Sequence, residues 1–375
     1  MATAEQTQPA SAQARAAANG ARPPATPKQQ QAPAAAPSRL AKTRAPARLP
    51  TPTTYVLYGP EGIGKSSLAA AAPSPIFFDV EDGSSELSLA RYPFTDDPHR
   101  GHVPQTYQQV LDAIDDLADH DHGYRTLVLD TVDALESLIW RHMLDRDSKV
   151  SAKNKAGEKL ISIEDYGYGK GYNSAVEEWR QLCARIDRMR YARNMEVVLL
   201  GHAQVKTFKN PTGEDYDRWQ LRLNEKAAGF LKEWAKVTGF MRLEEDVKKL
   251  SKYGRYKGLS TSVRVIELAR SAAVDAKSRL ALPPVVEVDV ENPWAPFGAA
   301  VAAARDVDPA KLVEAIEAEF DRVGDKARAA RARPAVKEAL RQQDAGKLQR
   351  FLGELQKTPA ADAPDDAGAG EGGAA

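Results

Sequence analysis

The chain is 375 residues long, 42% hydrophobic and 28% charged, and its 52 Lys and Arg balance its 52 Asp and Glu to a net charge of zero. A neutral total leaves no whole-molecule field to steer it toward nucleic acid, so any such affinity must come from local patches. The lone cysteine, Cys183, excludes an internal disulfide; no run approaches eighteen apolar residues and the first residues lack the apolar core of a signal peptide, which predicts a soluble cytoplasmic protein without a membrane span.

Residues 1–50 are dominated by Ala, Pro and Gln and carry Arg15, Arg22, Lys28, Arg39, Lys42, Arg44 and Arg48 against the single acid Glu5. Without apolar periodicity they are expected to form a disordered basic arm. The apolar run Tyr55 to Tyr58 then predicts a strand over about 54–58, and GPEGIGKS, Gly59 to Ser66, follows it directly. This fits the phosphate-loop pattern G-x-x-x-x-G-K-[ST]. Gly59 and Gly64 are expected to let the backbone curl around Pro60, Glu61, Gly62 and Ile63, so that its N–H groups point at phosphate oxygens. Lys65 is expected as a solvent-facing charge near the β and γ phosphates, and Ser66 as a hydroxyl for Mg²⁺. Ser67 and the alanines behind it form a good helix, whose N-terminus would add to the anion site.

A second strand, about 76–80, leads into Asp79, Glu81 and Asp82; Tyr107, Val110, Leu111, Ile114 and Leu117 then mark a helix. The third strand, about 126–130, is four apolar or β-branched residues ending in Asp130, a Walker B strand in form, whose carboxylate would hold Mg²⁺ through water beside the loop. Val176, Trp179, Leu182, Ile186 and Met189 recur at helical spacing around Cys183, which reads as a packed, inert thiol. A fourth strand is expected at about 196–201. Strands alternating with helices predict a parallel α/β sheet with helices on both faces. Val237 to Leu243 and Val263 to Leu268 flank a charged turn and suit an antiparallel pair extending that sheet. Beyond a Pro-rich stretch, Leu312, Val313, Ile316, Phe320 and Val323 mark one helix, with further helical segments at Val336, Leu340, Leu348, Phe351 and Leu355. Residues 359–375, with Asp362, Asp365, Asp366, Glu371 and no base, are expected to form a disordered acidic tail. The expected organisation is therefore an arm at 1–50, a nucleotide domain at 51–295, a helical appendage at 306–358 and the tail.

GPEGIGKSS followed by FFDVED, TLVLDTVDAL and VVLLGHAQVK resembles the core of RecA-like recombinases. With EDYGYGKGYNSAVEEW and ARSAAVDAKSRLALP, the chain is similar to the bacteriophage RecA-like ATP-binding proteins of single-strand annealing, over about residues 53 to 290. The resemblance implies a RecA-like P-loop fold, ATP and Mg²⁺ as ligands, and a host-cytoplasm location if the chain is phage-encoded. It also implies Glu81 as the residue orienting the attacking water. His202 falls where recombinases carry a glutamine that senses the γ phosphate, and Gln204 is the competing candidate. Such assemblies form rings or filaments that complete the ATP site from the neighbour, which makes Lys277 and Arg279 candidates to act in trans; the alternative is ordinary charge near a helix end.

Two polar stretches occupy the position of recombinase DNA loops. In the first, Lys153, Lys155, Lys159 and Lys170 interleave with Tyr166, Tyr168 and Tyr172, which suits single-stranded DNA; a solvated loop whose tyrosines pack on the core fits equally. The second carries Lys206 and Lys209 with Glu214, Asp215 and Asp217, and reads either as a DNA loop or as a hairpin turned on Asn210 to Gly213. The function expected is an ATPase that binds single-stranded DNA and promotes annealing or strand pairing, with a single-strand binding protein or another recombination protein as a further partner. Two other uses of the loop stay open: an ATP-gated loader or adaptor for a partner protein, and a small-molecule kinase.

Overall fold

The computed structural model describes residues 51–149, 159–249, 256–306, 308–342, 345–356 and 358; the expected basic arm, acidic tail, Lys153 and Lys155 lie outside the described residues. The described residues belong to one compact unit. Its centre is a sheet of β1 (Thr54–Gly59), β2 (Pro75–Asp79), β3 (Thr126–Asp130), β4 (Glu196–Phe208), β6 (Val237–Lys249), β7 (Tyr256–Glu267) and β9 (Val285–Val288) in the order β2-β3-β4-β1-β6-β7-β9. The first five run parallel, and β7 and β9 continue it antiparallel. β5 (Tyr216–Leu221) pairs with β4 and β8 (Lys277–Ser278) with β6. Every residue of β1 and β3 is buried, as expected of strands covered on both faces.

Period-two alternation divides each strand between two cores. Val56, Tyr58, Ile76 and Phe78 face a cluster with α2 (Tyr107–Asp119), α3 (Val132–Lys149), α4 (Lys170–Arg193) and α5 (Glu225–Trp234). Tyr55, Leu57 and Phe77 face α1 (Lys65–Ala70) and α6 (Ala295–Asp306), where Trp294 and Phe297 meet the Tyr55 ring edge-on. Each of these buried large side chains contributes roughly 2–3 kcal/mol of transfer free energy. α6, which begins at the expected end of the nucleotide domain, packs on the sheet. α7 (Pro309–Val323), α8 (Lys326–Arg341) and α9 (Ala345–Gln356) gather a third, smaller cluster around Ile316, Phe320 and Leu352. No helix among the described residues is long and apolar enough to cross a membrane.

Two stretches depart from the expected boundaries. β6 and β7 run six or seven residues past the apolar runs into the charged turn, because a paired backbone satisfies its own N–H and C=O groups whether or not the side chains are apolar. β4 likewise continues to Phe208 and turns back into β5, with Ala203 opposite Leu221 and Phe208 opposite Tyr216. The second polar stretch is thus a hairpin, braced by the Arg218 guanidinium 4.3 Å from the centre of the Phe208 ring.

Candidate nucleotide site

β1 sits between β4 and β6, so the loop leaving it emerges at the middle of the sheet. Within the loop Gly62 and Gly64 adopt φ of 71° and 96°, a region L side chains rarely enter. Gly59 serves a different need from the curl expected of it: a Cβ there would lie 2.5 Å from the Met241 carbonyl oxygen, so glycine is required for β6 to pass. Pro60, Glu61 and Gly62 line the outer turn, Ile63 anchors the loop in the core, and Ser67 is exposed on α1. α1 is only six residues long, so its dipole adds little to the loop's own N–H groups.

Lys65 is not solvent-facing. It is 6% exposed, and its Nζ donates to the carbonyls of Gly59 and Pro60 at 3.1 and 2.9 Å. Burial lowers its pKa, opposed by the charges of Asp130, Asp133, Glu81 and Glu61. The expectation failed because a pattern of residue types does not reveal that the loop folds over its own lysine.

Ser66 Oγ donates to Asp130 Oδ2 at 2.6 Å, which joins the loop to the end of β3 across the intervening β4. Burial pushes Asp130 up to about 6, with the Asp79 and Glu81 charges adding to it and the Ser66 hydrogen bond and Lys65 opposing. A hydroxyl and a carboxylate in contact, with further carboxylates raising the cost of ionisation, form an all-oxygen donor set that suits Mg²⁺. Ser66 and Asp130 would hold the ion, which when bound neutralises charge on the β and γ phosphates.

Asp79 lies in register with Asp130 and is fully buried. Its carboxylate accepts from the Gly83 and Ser84 N–H groups, each at 3.1 Å, and from the Ser84 hydroxyl. That turn carries Glu81 back over β3, where Thr131 Oγ1 donates to Glu81 Oε1. His202 pairs with Gly59 across β1 and β4 and brings Nδ1 to 3.8 Å from Glu81 and 2.7 Å from Asp133 Oδ2. Gln204, two residues further along, instead donates to the Leu221 and Leu223 carbonyls at 3.1 and 3.4 Å, inside the hairpin. Of the two sensor candidates, His202 is the one in contact with the carboxylates of the site.

Three participants had no expected role. Asp133, in the first turn of α3, accepts from the His202 N–H and from Arg222 Nη2 at 2.7 Å, while Arg222 Nη1 reaches Glu61 of the loop at 3.2 Å. Burial alone would raise Asp133, but the hydrogen bonds from Arg222 and His202 outweigh it and hold the carboxyl below its ordinary range. Thr131 is the third. No local spacing signals Arg222, because β5 joins the site only through the hairpin.

The remaining candidates lie further out. Lys159 and Lys170 are exposed, whereas Tyr166 and Tyr172 pack on the core and donate to Asp147 and Glu164, both at 2.6 Å. Tyr168 is 84% exposed. Lys206 lies 3.6 Å from Glu225 and Lys209 pairs with Asp215. Lys277 Nζ donates to the Lys232 carbonyl at 2.6 Å and Arg279 Nη2 to that of Glu233 at 2.6 Å, so both cap the C-terminus of α5. β8 pairs at Val237 and Thr238, beside Tyr55 and at the opposite end of β1 from Gly59 of the same subunit.

Glu136, in α3, is 6% exposed, and both its oxygens accept from the Asn224 N–H, at 3.2 and 3.1 Å. Burial lifts its pKa from 4.5 to about 7, assisted by Asp133 and opposed by the Asn224 hydrogen bond and Lys206. Between those two values the folded chain keeps a proton that the unfolded chain has lost, so stability falls as pH rises through that window. We predict that the stability difference between Glu136→Gln and wild type moves toward the variant by ~3 kcal/mol from pH 4.5 to 8. Denaturant melts of both proteins check this, and parallel pH profiles would contradict it.

The AAA domain family matches residues 51–280. No curated protein matches the chain significantly. Among solved structures, the RadB recombinase is similar at 14% identity and a TM-score of 0.28, covering 58% of this chain and 80% of that one. The flagellar accessory protein FlaH from Methanocaldococcus jannaschii is similar at 11% identity and 0.28, covering 64% and 87%. Superpositions this loose carry no argument. The fold class, a RecA-like P-loop core, rests on the mostly parallel sheet, the phosphate loop at the end of its central strand and the matched family.

Proposed function

The chain belongs to the AAA domain family, and from that premise we propose that it is a Mg²⁺-dependent ATPase that binds single-stranded DNA and promotes annealing or strand pairing as a homo-oligomer. The observation that carries the ATPase reading is the contact of Ser66 with Asp130, with Glu81 held beside it by Thr131. In this reading the Gly59 and Pro60 carbonyls that now accept from Lys65 give way to phosphate oxygens, and the lysine neutralises charge that grows in the transition state. Glu81 orients the water, and His202, held by Asp133, reports the γ phosphate. Catalysis is positioning and charge neutralisation, with no covalent enzyme intermediate.

The DNA reading is supported by Lys159 and Lys170, exposed at the two ends of a stretch that also displays Tyr168. ATP turnover measured with single-stranded DNA, duplex DNA and no DNA tests it: stimulation by single strands alone is expected. Turnover indifferent to both would favour a protein partner, the loader or adaptor reading. Replacing Lys153, Lys155 and Lys159 together should weaken single-strand binding and flatten its salt dependence, by about 0.7 in slope for each phosphate that is no longer neutralised. Wild-type affinity with an unchanged slope would move the DNA path elsewhere.

A further inference from the structure

The geometry points to Arg264 as a nucleotide-binding residue acting in cis, whose guanidinium receives the α phosphate of a nucleoside di- or triphosphate. The assignment rests on the ATP reading above and adds to it a second cation, on the flank of the site away from the metal.

Arg264 lies on β7 opposite Leu243 of β6. β6 runs beside β1, with Tyr58 opposite Phe240, and Met241 abuts Gly59. Leu243 is two residues further along, so the β6–β7 ladder has by then passed the end of β1 by roughly 7 Å and stands over the phosphate loop. The side chain reaches back to the loop. A methyl group built on Gly64 would lie 3.6 Å from Arg264 Cζ and 3.7 Å from Nε and Nη1, so the guanidinium rests against the glycine that opens α1. A bulkier residue at Gly64 would meet both a left-handed φ of 96° and this arginine.

Its neighbours in kind are already engaged. Arg242 donates to Glu267 and to the Leu243 carbonyl, and Arg222 to Glu61 and Asp133. Among the described residues the Arg264 guanidinium makes no hydrogen bond or ion pair, although the residue is half-buried. A guanidinium that rests on the phosphate loop without a protein acceptor has its planar fork free, and the partner that suits that fork is an oxyanion such as phosphate.

Strand order decides which phosphate. Ser66 and Asp130 mark the metal end, where an ion held by them would neutralise charge on the β and γ phosphates. Asp130 is on β3, and the order β3-β4-β1-β6-β7 places Arg264 on the opposite side of the loop. The chain of phosphates that starts at Asp130 therefore reaches Arg264 at its α end. Because ADP and ATP share that end, the interaction is made alike in ground and transition states, and its loss should raise KM and leave kcat in place.

The test is titration calorimetry of wild type, Arg264→Ala, Arg264→Lys and Arg264→Gln with Mg-ADP and with a non-hydrolysable Mg-ATP analogue, alongside turnover at saturating ATP. Expected are dissociation constants raised ~10- to 100-fold for both nucleotides in the alanine and glutamine variants. Partial recovery with lysine and kcat within about twofold of wild type should accompany them. Unchanged affinity for both nucleotides overturns the assignment, and so does a loss confined to the triphosphate, which would put the arginine at the γ end. Thermal melts identify a variant that fails to fold, in which case the lysine and glutamine proteins carry the comparison. Wild-type protein that binds neither nucleotide would remove the ATP reading itself, an outcome distinct from normal wild-type binding with unaffected variants.

Discussion

Lys65→Ala should lower ATP turnover by about a thousandfold or more. Phosphate clamps of this kind stabilise transition-state charge by several kcal/mol, and each 1.4 kcal/mol is tenfold in rate. Lys65 is the only loop side chain that places a cation among Asp130, Asp133, Glu81 and Glu61, whose charges all act on it. Its burial makes the structural cost of the substitution an open measurement, since Nζ satisfies the Gly59 and Pro60 carbonyls. The Gly59 carbonyl is buried and that of Pro60 partly so, while the lysine is itself penalised by burial, so the expected destabilisation is about 1–3 kcal/mol. Phosphate release and a thermal melt on the same preparation separate the two effects. A folded variant with near wild-type turnover would remove the P-loop ATPase reading altogether.

Glu81→Gln should slow hydrolysis by ~10²- to 10³-fold while leaving nucleotide affinity within a few-fold of wild type. The amide oxygen can still accept from Thr131, so the side chain keeps its place and loses only the charge that orients water. Asp130→Asn should behave differently, weakening the Mg²⁺-dependent part of binding, because Asp130 and not Glu81 touches Ser66. Measured Mg²⁺ dependence of binding and single-turnover rates for both variants distinguish the roles. If Glu81→Gln removes the Mg²⁺ dependence and Asp130→Asn leaves it, the two assignments are exchanged.

Much of the site was legible because its strongest members are local in sequence. Gly59 to Ser66 is one contiguous loop, and Asp130 ends an apolar run that, downstream of that loop, reads as a buried strand. Of the five parallel strands, β1 to β4 appeared within one residue of their expected starts, since strands covered on both faces are recorded as unbroken apolar runs. Arg222 and Arg264 were not legible. Arg222 follows β5 and Arg264 lies on β7, each a single arginine in its stretch, and what either one approaches depends on which strands lie beside β1.

Local chemistry by itself thus determined the phosphate loop, the candidate metal pair and the α/β class, because each follows from residues adjacent in the chain or from a period-two or 3.6 pattern. Tertiary structure alone decided the rest. It buried Lys65 under its own loop, committed Gln204 to the hairpin and brought His202 into register with Gly59. It also turned Lys277 and Arg279 onto the end of α5 and set Arg264 against Gly64. Those outcomes depend on strand order and on hairpin length, which arise from long-range pairing between segments far apart in sequence, and no short window of residues carries that information.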